Sequence, residues 1–257
     1  MNKKNSEYIN HFNQQSEQYS LCRPDYPEAL FDYLAQQVEL NSTVWDCGTG
    51  TGQAAKSLAE RFKKIIATDI NSGQLAAAPQ KDNIEYFCCP AEQTPIESGS
   101  INLITVAQAL HWFDFDRFYD EVRRVSAPNA LFAAWCYSLG HFNESPIDEI
   151  IHTLYYDILG AQYWPKERFY IDEEFKTIPF PFAKLTTPHF SIDKSLNLKQ
   201  LMGYLSTWSA VKEYQVQNQQ NPLDLIYDKL ESAWGAESTE RTIHWSLHCL
   251  LARVNKG

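Results

Sequence analysis

The sequence has no apolar run long enough to span a bilayer, and the basic residues near its start, Lys3 and Lys4, have no hydrophobic segment behind them. These absences predict a soluble, cytoplasmic protein that is neither exported nor bound to a membrane. Cysteine is unpatterned: Cys22, Cys47, Cys88, Cys89, Cys136 and Cys249 form no C-x-x-C and no paired metal spacing. Reduced, packing thiols are expected, and no metal. Basic charge is scarce as well. The 22 Lys and Arg against 32 Asp and Glu give a net charge of −10, a field that repels a phosphate backbone, and Arg123-Arg124 is too short to make a basic stripe. Nucleic acid is a disfavoured partner.

What is present is material for a core. At 44% hydrophobic and 14% aromatic residues the chain excludes disorder, and 257 residues fit one large domain or a domain with an elaborated lid. Helical and strand patterns alternate, as in a parallel sheet wound by helices. Residues 27–38 form a helix with proline at its start, and 43–45 a short strand. A helix is expected over 53–62, a strand over 65–68, a short helix over 72–78 and strands over 84–88 and 101–107. Next come a helix over 114–125 and a fifth strand over 130–136. A helix capped by Ser145 and ended by Gly160 presents Ile147, Ile150, Ile151, Leu154, Tyr155 and Ile158 on one face. The aromatic, proline-rich stretch 161–182 reads as an irregular surface excursion. A sixth strand is expected within 183–192, helices over 196–212 and 223–234, and a terminal strand over 242–254.

Only ten glycines occur in the chain, and three of them stand in Asp46-Cys47-Gly48-Thr49-Gly50-Thr51-Gly52, between a predicted strand and a predicted helix. Glycines there let the backbone turn sharply and let a ligand approach atoms that a Cβ would shield, so a cofactor loop is expected. Two cofactor classes fit. Gly50-x-Gly52-x-x-Ala55, with Asp69 at the end of the second strand to grip a ribose, satisfies a loose dinucleotide fingerprint. Asp46, at the tip of the first strand, would repel a pyrophosphate and suit a cationic ligand such as S-adenosylmethionine.

These residues resemble the class I S-adenosylmethionine-dependent methyltransferases, well over about residues 10–140 and loosely beyond. Asp46 to Gly52 is similar to that family's acid-and-glycine loop. The resemblance implies that Asp46, Gly48, Gly50 and Gly52 hold the methionine moiety, and that Asp69 accepts hydrogen bonds from both ribose hydroxyls. Pro90-Ala91-Glu92-Gln93-Thr94-Pro95 resembles the segment after strand three, with Ala91 and Glu92 bordering the adenine. The stretch from Ala107 through Gln108, Ala109, Leu110, His111 and Trp112 to Phe113 resembles the segment that walls the methyl donor. Tyr19-x-x-x-Arg23-Pro24-x-Tyr26-Pro27 and Leu205-Ser206-Thr207-Trp208-Ser209 narrow the likeness to the branch that includes trans-aconitate methyltransferase.

The resemblance implies a three-layer Rossmann-like α/β domain with a seven-stranded, mostly parallel sheet and an antiparallel last strand, the cofactor lying at the carboxyl ends of strands one, two and four. A single domain is expected, with a cap over 1–40, a cofactor-binding core over 41–140, a helical lid and sixth strand over 141–235 and the terminal strand over 236–257. The expected function is methyl transfer from S-adenosylmethionine to a small molecule, with a carboxylate as acceptor. Arg23 and His111 would anchor and align the acceptor, Tyr19 would bind it, and Trp112 and Trp208 would line an apolar wall. An NAD-linked oxidoreductase and a cofactor-binding protein without turnover are the alternatives. The first lacks a visible hydride-transfer constellation.

Overall fold

The structure, a computed structural model, describes residues 24–39 and 41–254. Helix α1 (Glu28–Gln37) starts after Pro27, whose extended backbone forms the N-cap. Strand β1 (Thr43–Cys47), helix α2 (Gln53–Leu58), β2 (Lys64–Asp69), α3 (Ser72–Ala76), β3 (Ile84–Cys88) and β4 (Ile101–Ala107) follow at the predicted places. So do α4 (Phe115–Val125) and β5 (Ser126–Cys136). The side chain of Asp114 caps α4 by accepting from the Arg117 N–H, and Arg123 and Arg124 lie at its negative C-terminal end.

The sheet has the order β3-β2-β1-β4-β5-β7-β6. Strands β1 to β5 pair in parallel, and β7 (Arg241–Arg253) joins β5 antiparallel, with Leu131 opposite Arg253 and Cys136 opposite His248. Because β1 and β2 are covered on both faces, their middles read as continuous apolar runs, and Val44, Trp45, Cys47, Ile65, Ile66 and Ala67 are all buried. Strand β1 sits between β2 and β4, so the direction of winding reverses beside it. In an open α/β sheet, such a switch point leaves a crevice at the carboxyl ends of the strands.

Packing divides the chain into two compact units. One comprises Asp25–Ser138, Phe169–Ile192 and the end of the chain from Ser246. Here the structure corrects the reading of the aromatic, proline-rich stretch. Ile171, Phe175, Ile178 and Phe182 are buried in the same core as Trp45, Phe118 and Phe132, and Phe180 packs against it. The Tyr119 hydroxyl donates to the Pro179 carbonyl at 2.8 Å. Apart from the short helix Arg168–Asp172, which carries Ile171, the buried chain here is irregular, which is why periodicity gave little sign of it.

The other unit contains Leu139–Arg168 and Asp193–Trp245. The helix expected to end at Gly160 begins as α5 (Ser145–His152) and continues as a π-helix over Thr153–Leu159, with Glu144 rather than Ser145 in the capping position. The wider turn brings Leu159 inward and leaves Ile158 half-buried. The helix expected over 196–212 is two, α6 (Leu198–Ser206) and α7 (Ser209–Asn218). Asn197 and Gln200 close a capping box at the start of α6, and the chain breaks where Trp208 turns extended with its ring buried. A 3₁₀ turn, Pro222–Leu225, precedes α8 (Tyr227–Trp234). Strand β6 (Phe190–Leu196) lies mostly beyond the expected 183–192. Its burial alternates as expected of an edge strand, with Phe190, Ile192 and Leu196 inward. Among the described residues, no helix is long and apolar enough to cross a membrane.

Seating of the 169–192 segment in the core is testable. Ile171 is fully buried, so Ile171→Ala should lower unfolding free energy by about 2–5 kcal/mol. Exposed Leu185, changed to Ser, should move it by less than about 0.5 kcal/mol. Equal effects in urea unfolding would contradict the packing.

Candidate cofactor-binding site

The loop after β1 turns through three left-handed glycines, Gly48, Gly50 and Gly52, at φ of 67°, 57° and 78°. At Gly48 the need for glycine is double. A Cβ there would stand 2.6 Å from the Ala109 Cβ and 3.2 Å from the Phe113 ring, so the segment after β4 presses directly on bare backbone. The loop is tied to β2 by two bonds: the Thr49 N–H donates to the Thr68 carbonyl at 2.9 Å, and the Gly50 N–H to Asp69 Oδ2 at 2.8 Å.

Two carboxylates frame this loop in different ways. Asp46 is 0% exposed beneath it, accepting from the Thr49 hydroxyl at 2.5 Å and from the Thr105 hydroxyl of β4 at 2.8 Å. Through these two bonds the carboxylate ties the loop to the strands below it. Burial, with a smaller contribution from the Asp69 charge, pushes the Asp46 carboxyl up to about 6, against the lowering effect of the two hydroxyls and the backbone at Ala55. Asp69 is half-buried at the end of β2. Its Oδ2 takes the Gly50 N–H, and its Oδ1 takes the Asn71 N–H at 2.8 Å. Ile70 follows with 76% of its surface exposed.

Around this centre, Ala91 is buried and Glu92 half-buried after β3. The Glu92 carboxylate accepts from the Asp114 N–H at 2.9 Å, tying the segment after β3 to the start of α4. Ala107 ends β4. His111 and Trp112 lie in the 3₁₀ turn Leu110–Trp112 with ring centroids 4.7 Å apart, His111 only 7% exposed and Trp112 55%. Trp208 belongs to the other unit, where it packs among Tyr155, Trp164 and Tyr204. Tyr19 and Arg23 lie outside the described residues.

Sequence reasoning passed over Ile70 and Gln74, and gave Gln108 no role beyond its place in the segment after β4. An exposed isoleucine directly after the acid of β2 was available as a signal. The Gln74 carboxamide, 2.8 Å from where a Gly50 Cβ would stand, and the left-handed backbone of Gln108 at φ 55° had none.

Asp46 gives a pH dependence of defined sign. Its folded value of about 6 lies above the ordinary 3.8, so the folded state holds the proton more tightly. This group's contribution to stability is fully present below the lower value and is lost as pH rises through about 6. Asp46→Asn does not titrate. Urea unfolding from pH 4 to 7.5 should show the natural protein losing on the order of 2 kcal/mol relative to this variant. A difference independent of pH would contradict the assignment.

Comparison with known proteins agrees with this geometry. A methyltransferase domain family matches residues 45–134, the stretch that carries the glycine loop and both acids. A Dictyostelium discoideum protein provisionally named a methyltransferase is 35% identical over 221 residues, 85% of this chain and 84% of its own. An S-adenosylmethionine-dependent methyltransferase of Saccharomyces cerevisiae, also provisionally so named, is 28% identical over 54% of this chain and 50% of its own. A solved structure from Anaeromyxobacter dehalogenans, provisionally named a type II methyltransferase, superposes with a TM-score of 0.83 at 36% identity, covering 90% of this chain and 97% of its own. With sequence and fold matching along nearly the whole of both partners, the chain belongs to the class I S-adenosylmethionine-dependent methyltransferases.

Proposed function

We propose that this methyltransferase methylates a small molecule in the cytoplasm, with a carboxylate oxygen as acceptor, as a member of the branch that its Tyr19–Pro27 and Ala107–Phe113 motifs resemble. One observation carries the cofactor half of the reading: Asp69, at the carboxyl end of β2 next to β1, is fixed by two backbone N–H groups yet only half-buried. A carboxylate offers about four lone-pair sites, so each oxygen keeps one for a ribose hydroxyl. Exposed Ile70 beside it offers an apolar face to the adenine, which Ala91 and Glu92 would border. The bare backbone at Gly48, Gly50 and Gly52, together with Ala107, suits the methionine moiety, with Asp46 supporting the loop. The donor set thus fits S-adenosylmethionine. The dinucleotide alternative loses its main support now that the relatives are methyltransferases.

When bound, the cofactor supplies a methyl group already activated by its sulfonium. The protein's task is to align an acceptor in line with that methyl and to exclude water. A carboxylic acid is ionised at neutral pH and needs an anchor rather than a base, which suits a site whose histidine, His111, is almost fully buried. Arg23 is assigned as that anchor, Tyr19 as a further contact, His111 as an aligning group, and Trp112 and Trp208 as apolar wall. The net charge of −10 disfavours a nucleic-acid acceptor.

Calorimetric titration tests the cofactor map. Asp69→Ala should weaken S-adenosylmethionine binding by roughly 1.5–3 kcal/mol for each hydroxyl bond lost. Gly50→Val should be worse, because a β-branched residue at φ 57° is strained and meets the Gln74 side chain. Parent-like binding in either variant would overturn the map.

Screening small carboxylic acids with methyl-labelled cofactor tests the acceptor half. Turnover should be flat across neutral pH and should collapse in Arg23→Ala. A rate rising through about 6.5 and lost in His111→Ala would instead mark histidine base catalysis on a hydroxyl.

A further inference from the structure

Gln108 adopts φ 55° directly after β4, a left-handed conformation that a residue with a Cβ takes only when its surroundings enforce it. Two bonds do so. Its backbone N–H continues the ladder to β5 by donating to the Trp135 carbonyl at 2.9 Å, and its side-chain Nε2 donates to the Tyr137 carbonyl at 2.9 Å. The residues that follow lie against the loop at the end of β1. Ala109 and Phe113 reach the backbone of Gly48, and the Trp112 and Phe113 N–H groups close a 3₁₀ turn on the carbonyls of Ala109 and Leu110. At its far end the same segment is held by Glu92, which accepts the Asp114 N–H.

We infer that Gln108 is a positioning residue: by clamping the exit of β4 to the end of β5 in a left-handed turn, it sets the segment bearing His111 and Trp112 against the glycine loop and thereby tunes cofactor affinity. This rests on the reading of the glycine loop as the cofactor site. The clamp consists of an amide donor on a side chain long enough to reach Tyr137. Glycine at this position would accept the backbone angle and lose the clamp, whereas glutamate would keep the length and turn an acceptor toward a carbonyl oxygen.

The test uses the full chain with Gln108→Gly, Gln108→Glu and, as a control on the cofactor site, Asp69→Ala. Calorimetry with S-adenosylmethionine should show a loss of about tenfold in affinity for both Gln108 variants, with melting temperatures close to the parent's. Hydrogen exchange should quicken at the amides of Trp112 and Phe113 and stay unchanged in β1 and β2. Parent-like affinity in both Gln108 variants would overturn the inference. So would faster exchange spread evenly through the sheet, because that is the mark of a merely structural role. If Asp69→Ala bound the cofactor as the parent does, the cofactor reading itself would fall, and this inference with it.

Discussion

A carboxylate with no access to water lies beneath the loop that distinguishes this protein, and burying such a group without partners is prohibitively costly. Asp46 is accommodated because Thr49 reaches down from the loop and Thr105 reaches across from β4. Meeting that demand shapes the whole neighbourhood. Thr49 points inward because the chain turns left-handed on either side of it, at Gly48 and Gly50, and that turn in turn offers the Gly50 N–H to Asp69. Three strands, β1, β2 and β4, are thus joined at their carboxyl ends by side chains as well as by their backbone ladders.

The division of labour between the two acids follows from exposure. Asp46 is sealed and pushed toward protonation; Asp69 is half-buried and held by two N–H donors, which in the proposed reading leaves lone pairs for the ribose. Supporting contacts extend outward from them. The segment after β4 rests on Gly48, Glu92 fastens the segment after β3 to α4, and Glu121 takes both the N–H and the hydroxyl of Thr94 at 2.8 and 2.7 Å. Each loop at this end of the sheet is held by a neighbour, as preorganised binding requires.

Much of this was legible in the sequence because it is written in local signals. Three of ten glycines in five residues, an acid ending the next apolar strand and the alternation of apolar runs with helical patterns placed the fold, the loop and Asp69. Elsewhere the determining contact is distant or has no period. Nothing local says that Thr105 will meet Asp46 across 59 residues, so the support under the loop shows only in the fold. Burial of Ile171, Phe175 and Phe182 comes from a single short helical turn and the irregular chain after it packing on the core, and the break at Trp208 from the burial of a single indole. A glutamine carries no mark of a left-handed backbone, so the turn at Gln108 and its bond to Tyr137 show only in the fold.

The central claim is that the cofactor lies on the carboxyl ends of β1 and β2, between the glycine loop and Asp69. Amide chemical-shift mapping during titration of the full chain with S-adenosylmethionine tests it most directly. The largest shifts should fall on residues 48–52 and 69–71 and on the segments after β3 and β4, and NAD at the same concentration should leave them in place. Saturable shifts that cluster elsewhere, or that arise with NAD alone, would contradict the account.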